Sequence, residues 1–302
     1  MKHWGIWLKW GSGVVLGVLL IKALLVTSCF IPSSGMENSL YRGEGVLVNK
    51  WSYGLRLPFL SWFGYHRIGA EKVGKGDIVL FNNPAPANPE TPIDRRDLYI
   101  SRCIGCPGDT LMLDENLLSV GEDVFSPDAK AFYTYPSSAE DSVLFLLKEL
   151  DISGNTLAGY TEEGRYIRSF SRYEYYLITQ RDGGRIGFRL LNGGSACDAR
   201  PFVVPGKSLT VSVNPWNINL LCHAIRNHEG RDAGVSGDTL FVEGRPVRAY
   251  TFTKDYYWMA SNDPINLRDS RLFGFVPENH LIGKAWLIWF PSSKERFFQH
   301  IR

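Results

Sequence analysis

The sequence predicts a mainly β protein: a β-sheet core with an inserted α+β cap, preceded by one N-terminal transmembrane helix. Three observations carry this reading. Aromatic residues make up 13% of the 302 residues, and aromatics favour strands. Short β-branched runs bounded by glycine recur near both ends of the chain. Between them and the N-terminus, Trp10 to Ile31 reads WGSGVVLGVLLIKALLVTSCFI, an apolar stretch with one charge, Lys22.

That stretch is long enough for a spanning helix, which needs about 20 mostly apolar residues. Lys22 opposes insertion by roughly 2.5–3.5 kcal/mol if it sits at the bilayer centre. Lys9 and Lys22 are about 20 Å apart along a helix, so both ammonium groups can reach an interface by snorkelling. Lys2, His3 and Lys9 precede the span and no comparable basic run follows it. The positive-inside rule then puts the N-terminus in the cytoplasm and the remainder outside. A cleaved leader lacks an A-x-A-like site here. A lipoprotein signal ending at Cys29, in Val26-Thr27-Ser28-Cys29, is the rival reading, and Lys22 inside the apolar core opposes it.

Along the outer part, Val46–Asn49 and Asp77–Phe81 read as strands, and Asn82–Pro92, rich in Pro and Asn, as a loop. Leu98–Ile104 alternates and runs into the turn Gly105-Cys106-Pro107-Gly108-Asp109. Thr239–Val242 and Val247–Phe252 predict a hairpin around Glu243-Gly244-Arg245-Pro246. Leu281–Phe290 predicts a closing strand. The insert, roughly Glu115 to Gly237, predicts one short helix over Ser138–Leu150 from the helical spacing of Val143, Leu144, Leu146, Leu147 and Leu150. It also predicts short strands at Tyr175–Thr179 and Ile186–Leu191. The chain thus divides into an anchor (1–31), a core (32–114 and 238–302) and a cap (115–237).

Composition narrows the function classes. With 33 basic and 31 acidic residues the net charge is +2, which is no footprint for nucleic acid. Cys103 and Cys106 form a C-x-x-C, but there is no second pair for zinc and no βαβ context for a thioredoxin-like site, so they read as structural. The six histidines lack metal-ligand spacing. No metal or other cofactor is expected. Trp51, Trp62, Trp286 and Trp289, with Phe59 and Phe63, suit either a membrane-surface patch or ordinary packing.

Four blocks, in order, resemble one family. IPSSGMENSL (31–40), YRGEGVLVNKWSYGLRLP (41–58), YISRCIGCPGDTL (99–111) and DSRLFGFVPENHLIGKA (269–285) are similar to the boxes of bacterial type I signal peptidases. These are membrane-anchored serine endopeptidases that cut leader peptides after small residues with a Ser–Lys dyad. The resemblance implies a signal-peptidase-like β-sheet core on the outer face of the bacterial inner (cytoplasmic) membrane, single-pass, with the main domain periplasmic. It implies membrane lipid and the signal peptides of exported preproteins as partners, or a catalytic paralogue.

The chemistry of that dyad is demanding. A serine hydroxyl needs a base, and a lysine serves only when burial lowers its pKa. The resemblance places the nucleophile just before Met36, at Gly35, and the base just before Arg102, at Ser101. Neither residue can fill its role. Ser33 matches a serine that in some members donates to the oxyanion, and Met36 lies beside the bound peptide. Arg102, Gly105, Pro107, Gly108 and Asp109, and Asp269, Ser270 and Arg271, match residues that support the site. The turn before Asp269 departs from the family pattern, reading Ser261-Asn262-Asp263-Pro264-Ile265-Asn266-Leu267-Arg268. The expectation is a pseudoenzyme that binds leader peptides or a peptidase partner. The alternative is an active peptidase with a displaced serine such as Ser34, served by Lys50, Lys72, Lys75 or His66. In an extended segment Ser34 would point away from the residue-35 side.

Overall fold

Alternation of branched and aromatic side chains builds the central sheet. In this computed structural model the described residues are 24–57, 64–113 without 70, 128–191 without 153 and 154, and 200–301 without 267, with Trp62 and isolated positions before residue 24. Seven strands form one antiparallel sheet: β1 (Val26–Phe30), β2 (Gly45–Asn49), β3 (Ile78–Asn82), β4 (Leu98–Gly105), β5 (Tyr256–Ala260), β6 (Val276–Pro277) and β7 (Leu281–Phe290). Their order is β1-β2-β7-β3-β4-β5-β6, so the chain's last long strand lies between strands from its first third.

β3 shows why this sheet is stable. Successive side chains point to opposite faces. Ile78 and Leu80 pack with Met36, Leu40, Val46 and Val48 on one face. Val79 and Phe81 pack with Tyr53, Cys103, Met259 and Phe273 on the other. Burying each such side chain stabilises the fold by about 1.5–3 kcal/mol. A third cluster, around Leu113, Phe202, Leu221, Leu240 and Trp258, joins the strand 110–113, which pairs with 200–203, to the helix Ile218–Ala224 and the meander 233–247. A fourth, around Tyr135, Val143, Phe170 and Ile178, unites a four-stranded sheet with two helices, α1 (Glu140–Glu149) and α2 (Arg172–Asp182).

The architecture is mainly β, as expected, and β2, β3, β4, β7 and α1 lie within a residue or two of their predicted places. Three readings change. First, Val26–Phe30 is not the end of a membrane helix: it pairs residue for residue with β2, from Val26 opposite Asn49 to Phe30 opposite Gly45. Its β-branched start explains the preference. Most of Trp10–Leu25 lies outside the described residues, and among the described residues no helix is long and apolar enough to cross a membrane. Second, Tyr175–Thr179 is helical. The sequence Ser171-Arg172-Tyr173-Glu174 forms a capping box, in which Ser171 accepts from the Glu174 N–H and Glu174 accepts from the Ser171 N–H. That local signal outweighs the aromatic content that suggested a strand. With α2 and the helix 218–224 added to α1, helix outside the N-terminal segment exceeds expectation. Third, the hairpin turn is tighter than read. Val242 pairs with Arg245, leaving Glu243 (φ 51°) and Gly244 (φ 72°) as a two-residue turn. Positive φ at both positions is what a twisted hairpin requires. The following strand, Ala249–Thr251, pairs with Thr210–Ser212 instead, and of Ile186–Leu191 only Arg189–Leu190 is strand.

Candidate functional site

The segment after β1 turns sharply. Ser33 is extended (φ −142°, ψ 172°), and Ser34–Met36 then form one turn of 3-10 helix. The turn corrects the extended reading of Ser34: successive residues now point roughly 120° apart, not to opposite sides. Met36 fixes the turn by burying its side chain in the core with Ile31 and Leu40. Gly35 is buried with a negative φ. A Cβ there would stand 3.4 Å from the Asn266 carbonyl, 3.6 Å from Ser33 Oγ and 3.7 Å from Ser261 Oγ. These are ordinary contacts, so a side chain is absent for reasons other than space, and its surroundings are hydroxyls and a carbonyl.

This turn packs on β4, which carries Ser101 opposite Val79 of β3. Ser101 is fully buried, the setting that would depress a lysine pKa. Its hydroxyl instead donates to the Arg268 carbonyl at 3.3 Å. The turn and the strand that carry the positions the family resemblance assigns to nucleophile and base therefore pack together.

The departing loop, 261–268, closes over both. The Asp263 N–H donates to the Gly35 carbonyl at 3.1 Å. Asp263, buried, accepts from Ser34 Oγ at 3.3 Å, from Ser169 Oγ of the four-stranded sheet at 3.3 Å and from the Ile265 N–H at 3.1 Å. Asn266 Nδ2 donates to Ser34 Oγ. Asn262 Nδ2 donates to the Glu37 carbonyl (3.1 Å) and to Ser39 Oγ (2.8 Å). Beside it, Lys130 and Glu37 form a buried ion pair of 2.6 Å, and the Lys130 N–H donates to the Asn262 carbonyl at 2.7 Å. Sequence reasoning missed Glu37, Lys130, Asp263 and Asn266. Only Asp263-Pro264, a turn signal, gave a hint, because the other three act across long sequence separations.

Ser34 has the carboxylate of Asp263 and the amide of Asn266 as its side-chain partners, and no ammonium or imidazole among the described residues. Lys50 is held at the far end of β1: its N–H donates to the Leu25 carbonyl and its Nζ to the Lys22 carbonyl at 3.0 Å. Burial lowers its pKa, but the length of β1, about 16 Å, separates it from Phe30, with Ser34 further on. Lys75 pairs with Asp109 at 3.2 Å, and Lys72 and His66 are exposed. The structure brings none of the four to Ser34.

The supporting residues are tied in. Asp269, fully buried, accepts from the Ser261 N–H at 2.7 Å and pairs with Arg271. Ser270 Oγ accepts from the Met259 N–H at 2.8 Å. Arg102 donates to the Gly76 carbonyl at 2.7 Å and to Ser39 Oγ at 2.8 Å, and lies 3.7 Å from Asp128. Burial lowers its pKa. Asp109 accepts from the Cys106 N–H at 2.7 Å, which folds the turn after β4. Among the described residues no group of three or more His, Cys, Asp or Glu is arranged to hold a metal.

Comparison with known proteins places this chain in a family. The profile of signal peptidase, peptidase S26, matches residues 4–164. Signal peptidase I of Pseudomonas aeruginosa (strain PAO1) is 36% identical over 282 residues, covering 90% of this chain and 67% of that protein. Signal peptidase I of Buchnera aphidicola (subsp. Schizaphis graminum) is 25% identical over 278 residues, covering 92% and 72%. That of Helicobacter pylori (strain J99) is 22% identical over 294 residues, covering 93% and 80%. A sheet whose first strand leads into the 31–40 box, and whose fourth carries the 99–111 box, is thus a member of the bacterial type I signal peptidase family.

Proposed function

We propose that this chain is a signal-peptidase-fold pseudoenzyme, anchored in the inner membrane, that holds leader peptides without cutting them. One observation carries the reading: Gly35 supplies no nucleophile, and Ser101, on the strand against which its turn packs, spends its hydroxyl on the Arg268 carbonyl and supplies no base. Acyl transfer to serine needs both groups within hydrogen-bond reach. Binding makes a lesser demand. β5 pairs with β4 only from Arg102 to Gly105, so along Leu98–Ser101 the side of β4 away from β3 carries no strand among the described residues. An extended peptide can add there through main-chain hydrogen bonds.

The test is fluorescence anisotropy of a labelled leader peptide with small residues before its cleavage site, titrated with the full-length chain in detergent. Saturable binding that is weakened at least tenfold in Leu98→Pro, which removes an edge-facing main-chain donor at an exposed position, with unchanged thermal midpoint, supports the proposal. Equal binding by both proteins contradicts it.

A second reading has one observation behind it. Ser34 Oγ donates to the Asp263 carboxylate, which makes Asp263 the acceptor in any mechanism with a displaced serine. A carboxylate takes a hydroxyl proton far less readily than a neutral amine, so this arrangement ranks second. Cleavage lost in both Ser34→Ala and Asp263→Asn is its signature.

A further inference from the structure

The strand carrying Ser101 and Arg102 ends in a second reactive constellation. Cys103 is fully buried, among Tyr53, Tyr257, Met259 and Val276. Cys106 follows on the turn and is partly exposed. Their sulfurs are 3.9 Å apart, and a closure of about 2 Å brings them to disulfide bonding distance. The backbone that presents them is firmly held. Cys103 exchanges hydrogen bonds with the 76–77 turn, Cys103 N–H to the Asp77 carbonyl and Gly76 N–H to the Cys103 carbonyl. The Cys106 N–H donates to Asp109, which pairs with Lys75. Cys106 Sγ itself rests 3.2 Å from the Val73 carbonyl, so one side-chain movement separates the reduced geometry from a bond.

We propose that Cys103 and Cys106 are a redox-active pair that accepts a disulfide from a small-molecule or protein disulfide donor and closes into an intramolecular disulfide beside Arg102. Cys106 is the attacking thiol. It is the more exposed of the two, and the hydrogen bond from Cys103, with Lys75 nearby, lowers its pKa, whereas that of Cys103 is raised by the same bond and by burial. The Cys106 thiolate attacks one sulfur of the donor RSSR, forming a mixed disulfide and releasing RS⁻. Cys103 then loses its proton and attacks the Cys106 sulfur, expelling the second RS⁻. The chain is oxidised by two electrons, the donor is reduced to two thiols, and the two protons lost by the chain are taken up by them. The closed bridge ties the end of β4 to the turn 105–109, which fixes the strand that presents Ser101 and the open edge.

The experiment uses the full-length chain in detergent, treated with oxidised glutathione, then with N-ethylmaleimide, and digested without reduction. The expected product is a peptide containing Cys103 and Cys106, two hydrogens lighter than the dithiol and unalkylated, which becomes doubly alkylated after reduction. In Cys103→Ser the expected product is a stable Cys106–glutathione mixed disulfide, and in Cys106→Ser an unmodified Cys103. Full alkylation of both cysteines after oxidation, or glutathione retained on Cys106 in the unmodified chain, overturns the proposal. The readout is the bonding state of the two sulfurs, so the outcome is read independently of peptide binding.

Discussion

The ion pair between Lys130 and Glu37 is the contact whose removal should be felt most, because it lies between the four-stranded sheet and the turn that carries Gly35. The N···O distance is 2.6 Å, and the two side chains are 1% and 9% exposed. Replacing Lys130 with Met keeps most of the volume but leaves the Glu37 carboxylate buried without its cation. Breaking such a pair from one side costs about 3–5 kcal/mol. For a domain of this size that corresponds to a fall in thermal midpoint of roughly 10 °C. The double change Glu37→Leu with Lys130→Met removes both charges, and apolar replacement of a whole buried pair is often close to neutral. The assay is thermal unfolding of four proteins in one detergent, set out as a double-mutant cycle. The account expects each single variant to lose several degrees and the double to recover most of the loss. Additive losses, with the double worse than either single, refute the reasoning, since they mean that each side chain acts through packing and not through the other's charge.

Three further outcomes are expected. His228 is buried against the rings of His223 and His280, and burial, followed by the charges of His223, Lys254 and Arg96, lowers its pKa from 6.5 to about 3. The unfolded chain therefore binds the proton first: this stability is whole above pH 6.5 and is lost as pH falls towards 3, reaching about 3 kcal/mol by pH 4.5. His228→Leu should flatten the fall in midpoint between pH 6.5 and 4.5, and an unchanged slope excludes His228 as its source. Ser171→Ala removes the α2 cap and should lower local stability by about 1 kcal/mol, read as faster amide exchange over 172–182, with exchange in β3 unaltered. Gly35→Ser should leave the thermal midpoint unchanged, because the added Cβ meets nothing closer than 3.4 Å, whereas Ser101→Lys should lower it, because a long side chain must displace the Arg268 carbonyl from a fully buried position; equal midpoints for the two variants count against the packing described here.

The sheet was legible because its strands carry their own signals. Val46–Asn49 and Leu281–Phe290 are branched, alternating and bounded by turn residues, so local pattern and tertiary role agree. The N-terminal segment misled because residues 26–30, VTSCF at the end of an apolar run, satisfy both a membrane helix and a strand, and only the partner VLVN decides. α2 was missed because its tyrosines suggested a strand, although Ser171 and Glu174 spelled out the cap. At the site, the family resemblance led to an expectation that the turn with position 35 and the strand with position 101 pack together, as they do. What surrounds them did not follow from it: Asp263 on Ser34, Arg268 on Ser101 and Lys130 on Glu37 join residues far apart in the chain, and no local spacing encodes such contacts.

The measurement that bears most directly on the central claim is leader-peptide cleavage by the purified full-length chain in detergent, across a wide pH range, beside Ser34→Ala and the double change Gly35→Ser with Ser101→Lys. The account predicts no cleavage by the unmodified chain at any pH, and some cleavage in the double variant if a lysine at 101 displaces the loop. Cleavage by the unmodified chain that disappears in Ser34→Ala contradicts the account and makes Ser34 the nucleophile.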